Sequence, residues 1–353
     1  MSHPYTSSAP HQRWRKAMVE PAPGAIDPMV AAPWRIGPRD RIATAGSCFA
    51  QHLVRRLRAA GIVPFETEPA HPMLSAETAE AFGYGLFGAR FGSIYTARQL
   101  LQLLRRAYGR FAPLEDVWPG DDGAVFDPFR PTIQPGGFPT RQEFALDRRQ
   151  HFAAVRAMFE GLDVFVFTLG LTECWADRRD GAVYPLCPGV AAGTFDAERH
   201  EFLNLGISET IADLDAFLAE LRAVNPGARL ILTVSPVPLA ATAEPRHVWT
   251  ATSYSKSVLR VAAEEMARRP GVVYFPSYEI ITAPAARGAY FEPDLRSISE
   301  AGVDHVMRIF FRHLVEGVEA PAEPVPEPRA DPFLDQARRA VDVLCDEARL
   351  DPV

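Results

Sequence analysis

Short apolar runs alternate with amphipathic stretches along most of this chain, and that alternation predicts the fold class before any single residue is considered. The run Arg41-Ile-Ala-Thr-Ala45 ends at Gly46 and reads as a buried strand. Residues 48–60 then set Phe49, Leu53, Val54 and Leu57 at helical spacing, and Gly61 stops the helix. Ile62–Phe65 predicts a second strand, and Thr96–Tyr108 a helix that turns Leu100, Leu101, Leu103 and Leu104 inward. A helix over Arg141–Glu160 leads into Asp163–Leu169, the strongest strand pattern in the chain. A helix at 207–223, a strand at Arg229–Ser235, a helix at 253–268 and a strand at Val272–Phe275 follow in turn. A last helix runs from about Ser299 to Val315. Strands alternating with helices imply right-handed βαβ crossovers, hence an α/β class: a three-layer α/β/α sandwich around a central parallel sheet.

The stretches without a period define the rest. Residues 1–38 are proline-rich and read as an arm wrapping a domain over 39–315, with Trp14 and Trp34 as its anchors. Loop-rich insertions fall near 109–139 and 176–205. A Pro/Glu-rich linker, 316–331, precedes an amphipathic C-terminal helix within 332–353, which docks on the domain or on a protein partner.

Composition narrows the function classes. Of 353 residues 47% are hydrophobic and 23% charged, an ordinary globular balance. The net charge of −7 is spread along the chain without a basic block, which argues against nucleic acid and suits a neutral small-molecule or saccharide substrate. No apolar stretch approaches the ~18 residues of a membrane span. The polar start lacks a secretory pattern, and Cys48, Cys174, Cys187 and Cys345 form no CxxC pair. Reduced thiols, a cytoplasmic location, no metal site and no cofactor are the corresponding expectations.

In open parallel sheets ligands bind beyond the carboxyl ends of the strands, so candidate chemistry is sought there. The first strand ends in Gly46-Ser47-Cys48, where a glycine turn sets Ser47 and Cys48 at a helix N-terminus, a setting that favours a thiolate or an oxyanion. The alternative is a cap at Ser47 and a small core residue at Cys48. After the strongest strand, Gly170 permits close backbone approach; either Thr172 donates to an oxyanion and Glu173 orients a base or ties its own loop, or the segment is a purely structural turn. Ser235 ends the third strand. His247, in the loop after it, is the best-placed general base of nine histidines, and Ser253 and Ser255 cap the helix that carries Lys256. Before the last helix, Asp294 either orients a histidine or closes a turn, Arg296 offers a cation, and Ser297 or Ser299 caps the helix.

These segments, in this order, resemble the GSCFA family. The resemblance rests on Thr44-Ala-Gly-Ser-Cys-Phe-Ala-Gln-His52, Arg90–Leu100, Phe167–Glu173, Leu232–Pro238, Tyr254–Arg260 and Tyr274–Glu279, and it covers roughly 3–315. It implies the fold of the SGNH (GDSL-like) esterases and acyltransferases of bacterial type. Laid onto their blocks, Cys48 stands at the nucleophile position with Ser47 as its rival, Gly92 and Ser93 at the second-block donor, and Thr172 at the oxyanion asparagine. The late Asp-x-x-His block is Asp294-Leu-Arg-Ser297, with serine where histidine is expected. Either His247 then serves as base, or a Cys48 thiolate needs less help, or the chemistry has been lost.

Three functions follow from the resemblance. The first is an esterase or acyltransferase on an acylated carbohydrate or polysaccharide precursor. The second is a non-catalytic module that binds a carbohydrate or partner through Trp175, Tyr184, Trp249, Arg296 and Lys256. The third is a nucleotide-sugar-dependent transferase using Lys256, Arg260 and Arg296, which no Gly-rich phosphate loop supports.

Overall fold

The structure is a computed structural model and describes residues 3–318, apart from 121–122. Its contacts separate two compact units; among the described residues these are 40–274, and 3–39 together with 275–318.

The larger unit begins with β1 (Ile42–Gly46), α1 (Phe49–Ala59), α2 (Ala76–Ala81) and α3 (Ala97–Ala107). A short antiparallel pair, β2 (Trp118–Pro119) and β3 (Val125–Phe126), lies in the first insertion. Then come α4 (Arg141–Gly161), β4 (Val164–Leu169), β5 (Glu173–Asp177), β6 (Val183–Tyr184) and β7 (His200–Asn204). The sequence continues with α5 (Ile207–Val224), β8 (Arg229–Val234), α6 (Val248–Ala267) and β9 (Val272–Phe275). The central sheet has the order β1-β4-β8-β9 and is parallel, with helices on both of its sides. Its register places Gly46 beside Thr168 and Thr168 beside Thr233, so three strand ends finish level with one another.

The β4 strand is buried at every position, as a central parallel strand covered on both faces must be. Phe165 stacks near Phe167 and packs edge-on against Phe159 of α4, which in turn meets Phe217 of α5. Burying each such ring contributes about 1.5–3 kcal/mol. Helix starts follow their caps: Thr96 accepts from the Gln99 amide at 3.1 Å and Thr140 from Glu143 at 3.1 Å.

Beneath α4 lies a charged network that is almost wholly buried. Arg130 bonds Asp127 at 2.9 Å and Asp147 at 2.7 Å, while Arg90 meets the other oxygen of Asp147 at 2.9 Å. His151 pairs with Glu68 at 2.8 Å, and the same carboxylate accepts from the Arg90 amide. Burial and the Arg130 charge hold His151 down to about 4, so its ring is neutral near pH 7. Burial alone would raise Asp127, but Arg130, Arg106 and Arg148 outweigh it and keep that carboxyl well below its ordinary range.

Four expectations are corrected. Ile62–Phe65 forms no strand: Pro64 lacks an amide, and Phe65 gives a single bond to the Ile42 carbonyl at 2.7 Å. The 176–205 region holds β6 and β7, which pair antiparallel with β5 just ahead of it in a three-stranded sheet, β6-β5-β7, rather than irregular chain alone. Helix α6 starts at Val248, not near 253, so neither Ser253 nor Ser255 is its cap. Trp14 is 67% exposed and anchors nothing.

The smaller unit contains α7 (Ser277–Thr282) and α8 (Glu300–Leu314). Its arm is held by Ile26, Met29 and Ile36, all buried. Ile36 bridges Val315, and the Ile36 amide bonds the Leu314 carbonyl at 2.7 Å. His305 of α8 is buried between the Tyr290 hydroxyl at 2.8 Å and the Ile26 carbonyl at 2.9 Å, and Asp27 accepts from Arg312 and meets His313. The predicted C-terminal helix and most of the linker lie outside the described residues.

Candidate functional site

Three of the predicted segments converge at the carboxyl end of β1 and β4. Gly46 has φ +144, and a Cβ there would stand 2.5 Å from the Thr168 carbonyl oxygen, so only glycine fits. The chain therefore turns at once, and Ser47 and Cys48 lead into α1, with Cys48 in the N-cap position. Ser47 is 3% exposed, and its Oγ has no hydrogen-bond partner. Cys48 is buried beside it.

The second segment is tied to this turn through its backbone. The Ile94 amide bonds the Gly46 carbonyl at 2.9 Å, and the Tyr95 carbonyl accepts from the amides of Gly170 and Leu171, both at 3.0 Å. Gln99 locks the segment by accepting from the Tyr95 amide and donating to the Ser93 carbonyl, each at 2.9 Å. Ser93 is buried; Gly92 has φ +68, with open space where a Cβ would point.

Gly170 is the meeting point. A Cβ on it would come within 3.2 Å of the Ser47 Cβ and of Tyr95. Its carbonyl accepts from Lys256 Nζ at 2.7 Å, and Lys256 is only 1% exposed. Next to Lys256 on α6, the buried Ser255 Oγ accepts from the Thr172 amide at 3.0 Å. Helix α6 thus holds the 170–172 segment by two successive residues.

The remaining side chains are engaged elsewhere. The Thr172 hydroxyl donates to Asn204 at 2.7 Å, and Asn204 donates to Glu244 at 3.0 Å, so Thr172 is committed to a chain of its own rather than presented as an oxyanion donor. Glu173 accepts from Thr242 at 2.7 Å; burial raises its carboxyl above the usual range. Ser235 is buried, and its Oγ accepts from the Val237 amide. Trp175 packs edge-on against Phe195 and Phe202 in the small sheet. His247 is the exposed cap of α6, its Nδ1 accepting from the Trp249 amide at 3.1 Å.

Asp294, Arg296 and Ser297 belong to the smaller unit. There the Asp294 carboxylate accepts from the amides of Arg296 and Ser297 and from the Ser297 hydroxyl at 2.6 Å, closing a tight turn with Leu295 at φ +56. The block that would carry a histidine is a self-contained exposed turn. Ser299 caps α8, accepting from the Gly302 amide.

Sequence reasoning placed Gly46, Ser47, Cys48, Ser93, Gly170 and Lys256 among the site residues, and the described contacts bring Gly46, Ser47, the Ser93–Tyr95 segment, Gly170 and Lys256 together. It missed Tyr95, Gln99, Asn204 and Ser255. Gln99 had a local signal, since it sits in the first turn after the Thr96 cap. Asn204 had none, because it depends on the pairing of β5 with β7.

The GSCFA family model matches residues 41–310, most of the chain. The chain belongs to the GSCFA family. A search of curated proteins found no match. Among solved structures the GSCFA chain is similar to an acetyl esterase, a serine-to-alanine mutant with an acetate ion. The identity is 12% and the TM-score 0.33, over 76% of this chain and 92% of the other. Cys48, Cys174 and Cys187 of this GSCFA protein form no disulfide among the described residues; burial pushes Cys174 up to about 12 and Cys187 to about 11. No helix among the described residues is long and apolar enough to cross a membrane.

Proposed function

We propose that this GSCFA protein is an ester hydrolase or O-acyltransferase that carries its acyl group on the Ser47–Cys48 turn. The observation behind this reading is the Ser47 hydroxyl: buried, without a partner, and set against Gly170 at level strand ends. A buried hydroxyl left unbonded costs about 1–3 kcal/mol, and an incoming substrate group can supply the missing bond. Cys48 stands at the nucleophile position that the resemblance implies, one residue further on. The amides at the start of α1 face the developing oxyanion and stabilise it.

The substrate class in this reading is an acylated carbohydrate or polysaccharide precursor, acted on in the cytoplasm. Trp249, 76% exposed at the start of α6, offers a ring for a sugar face. The test is labelling of the intact protein with a fluorophosphonate and, separately, with iodoacetamide, followed by mass mapping and p-nitrophenyl acetate hydrolysis. One label per chain on Ser47 or Cys48, with turnover lost in the matching alanine variant, is expected and names the nucleophile. A folded protein that labels at neither residue and does not hydrolyse the ester would overturn the reading in favour of a binding module.

A further inference from the structure

We infer that the cavity between α3, α4 and the first insertion is a binding site for a small carboxylate that carries its own hydroxyl, bicarbonate being the smallest, with Arg106 as its anchor. The inference stands apart from the acyl-transfer reading, since it uses no residue of the Ser47–Cys48 turn.

The cavity has a volume of about 20 Å³. About 10–15 Å³ is enough for one water, so a compact anion fits there and a sugar does not. Phe91, Ile94 and Phe129 give it apolar wall, and Gln102, Arg106, Arg130 and His151 give it polar wall. Gln102 is already engaged, accepting from the Val183 amide at 2.8 Å and donating to the Gly181 carbonyl at 2.7 Å. Arg130 is engaged with Asp127 and Asp147.

Arg106 is a buried cation with bonding capacity to spare. The residue is 8% exposed, and its Nε has no hydrogen-bond partner. The Asp127 carboxylate stands 4.0 Å from its Nη2, beyond a hydrogen bond. The guanidinium lies over the Phe129 ring, 3.5 Å from its centroid. With a ring against its face, its N–H groups are left for an acceptor in its own plane, and a carboxylate brings two oxygens side by side. Burial lowers this guanidinium to about 9; Asp127 works against that shift, and Arg148 and Arg130 add to it. An anion in the cavity would supply the missing compensation.

His151 sets the second requirement. It is 1% exposed, and its Nε2 also has no partner. Its Nδ1 meets Glu68 at 2.8 Å. Burial raises that carboxyl, but His151 and Arg130 outweigh the effect and keep it below its ordinary range, hence ionised. Nδ1 therefore carries the ring proton, and Nε2 presents a lone pair. A plain carboxylate has no proton for that acceptor. Bicarbonate has one, with two oxygens left for Arg106. The carboxylates of the buried network are thus all paired, while two of its bases are left for one ligand.

The experiment follows thermal melting of the full chain in sodium bicarbonate, sodium acetate and sodium chloride at matched ionic strength. Carbon NMR of isotope-labelled bicarbonate reads binding directly. A saturable rise in Tm with bicarbonate, smaller with acetate and absent with chloride, is expected. Arg106→Met keeps an apolar chain against Phe129 and should weaken bicarbonate binding roughly 10-fold or more, the loss of a charge-assisted bond. His151→Gln should bring bicarbonate down to the level of acetate. Equal responses to the three salts, or undiminished binding in folded Arg106→Met, would overturn the site. A crystal soaked in bicarbonate that shows one water against Arg106 and His151 would do the same, because the cavity would then hold solvent alone. Should Arg106→Met fail to fold, competition in wild type decides: labelled bicarbonate displaced by unlabelled bicarbonate but not by chloride supports the site, and displacement by chloride at equal concentration removes it.

Discussion

Two buried polar regions of the larger unit are built on opposite plans. In the network under α4, Asp127, Asp147 and Glu68 each have an arginine or histidine in contact, and Asp127 lies within 1% of full burial. At the turn after β1, a glycine forced by a 2.5 Å approach sets a serine hydroxyl with nothing to bond. The first arrangement uses charge to join an insertion to the domain; the second leaves capacity for a group that arrives from outside. Burial therefore does not separate the structural polar residues from the functional ones. What differs is the pairing: the carboxylates of the first region each meet a cation or an imidazole, whereas the Ser47 hydroxyl meets nothing.

The largest test of that contrast is Asp127→Ala, which leaves Arg130 and Arg106 buried without their carboxylate. A loss of about 3–5 kcal/mol is expected in urea unfolding; a loss under about 1 kcal/mol would mean that the network is solvated and carries no fold.

A second test is acid unfolding. His151, with His52 and His305, is held at about 4 in the fold, chiefly by burial, against 6.5 when exposed. The unfolded chain thus binds more protons between these values, so stability is complete above about pH 6.5 and falls as pH drops toward about 4. Each histidine contributes up to about 3 kcal/mol to this fall. Melting of wild type and His151→Gln across that window should show a shallower slope in the variant; identical slopes would place the titration elsewhere.

Gly46→Ala should cost about 2 kcal/mol, because φ +144 and the Thr168 carbonyl both oppose a side chain. It should also abolish labelling at the turn. Smallest is Ser47→Ala: the hydroxyl it removes makes no bond, so the protein should gain up to about 1 kcal/mol. A clear loss of stability in this variant would show that the hydroxyl is satisfied after all, and the contrast between the two regions would close.

The sheet was legible because its strands are continuous apolar runs and its helices carry a stripe at regular spacing, as in Val164–Leu169 and Ala97–Ala107. The small β6-β5-β7 sheet was not, since β6 spans two residues and β7 is polar at His200, Glu201 and Asn204, a pattern no periodicity separates from a loop. His247 illustrates a different failure. A loop histidine ahead of a helix reads as a base or as a cap, and only the backbone decides between them. Lys256 was readable in part: positions 256, 259 and 263 share one face, and a lysine on a buried stripe asks for an explanation. What it reaches, the Gly170 carbonyl, depends on how the helix crosses the sheet.

The bridge between Ile36 and Val315 has a consequence for the order in which the molecule is made. The arm is translated well before α8, yet the carbonyls of Leu314 and Val315 that hold it are among the last described residues to be synthesised. At translation rates of ~5–20 residues per second, the arm waits on the order of ten to fifty seconds for α8. During that wait its apolar side chains, Ile26, Met29 and Ile36, have no native neighbour from α8. A segment translated early is then held only after α8 appears, and a nascent-chain binder that covers it in the interval would act on folding yield without touching the mature protein.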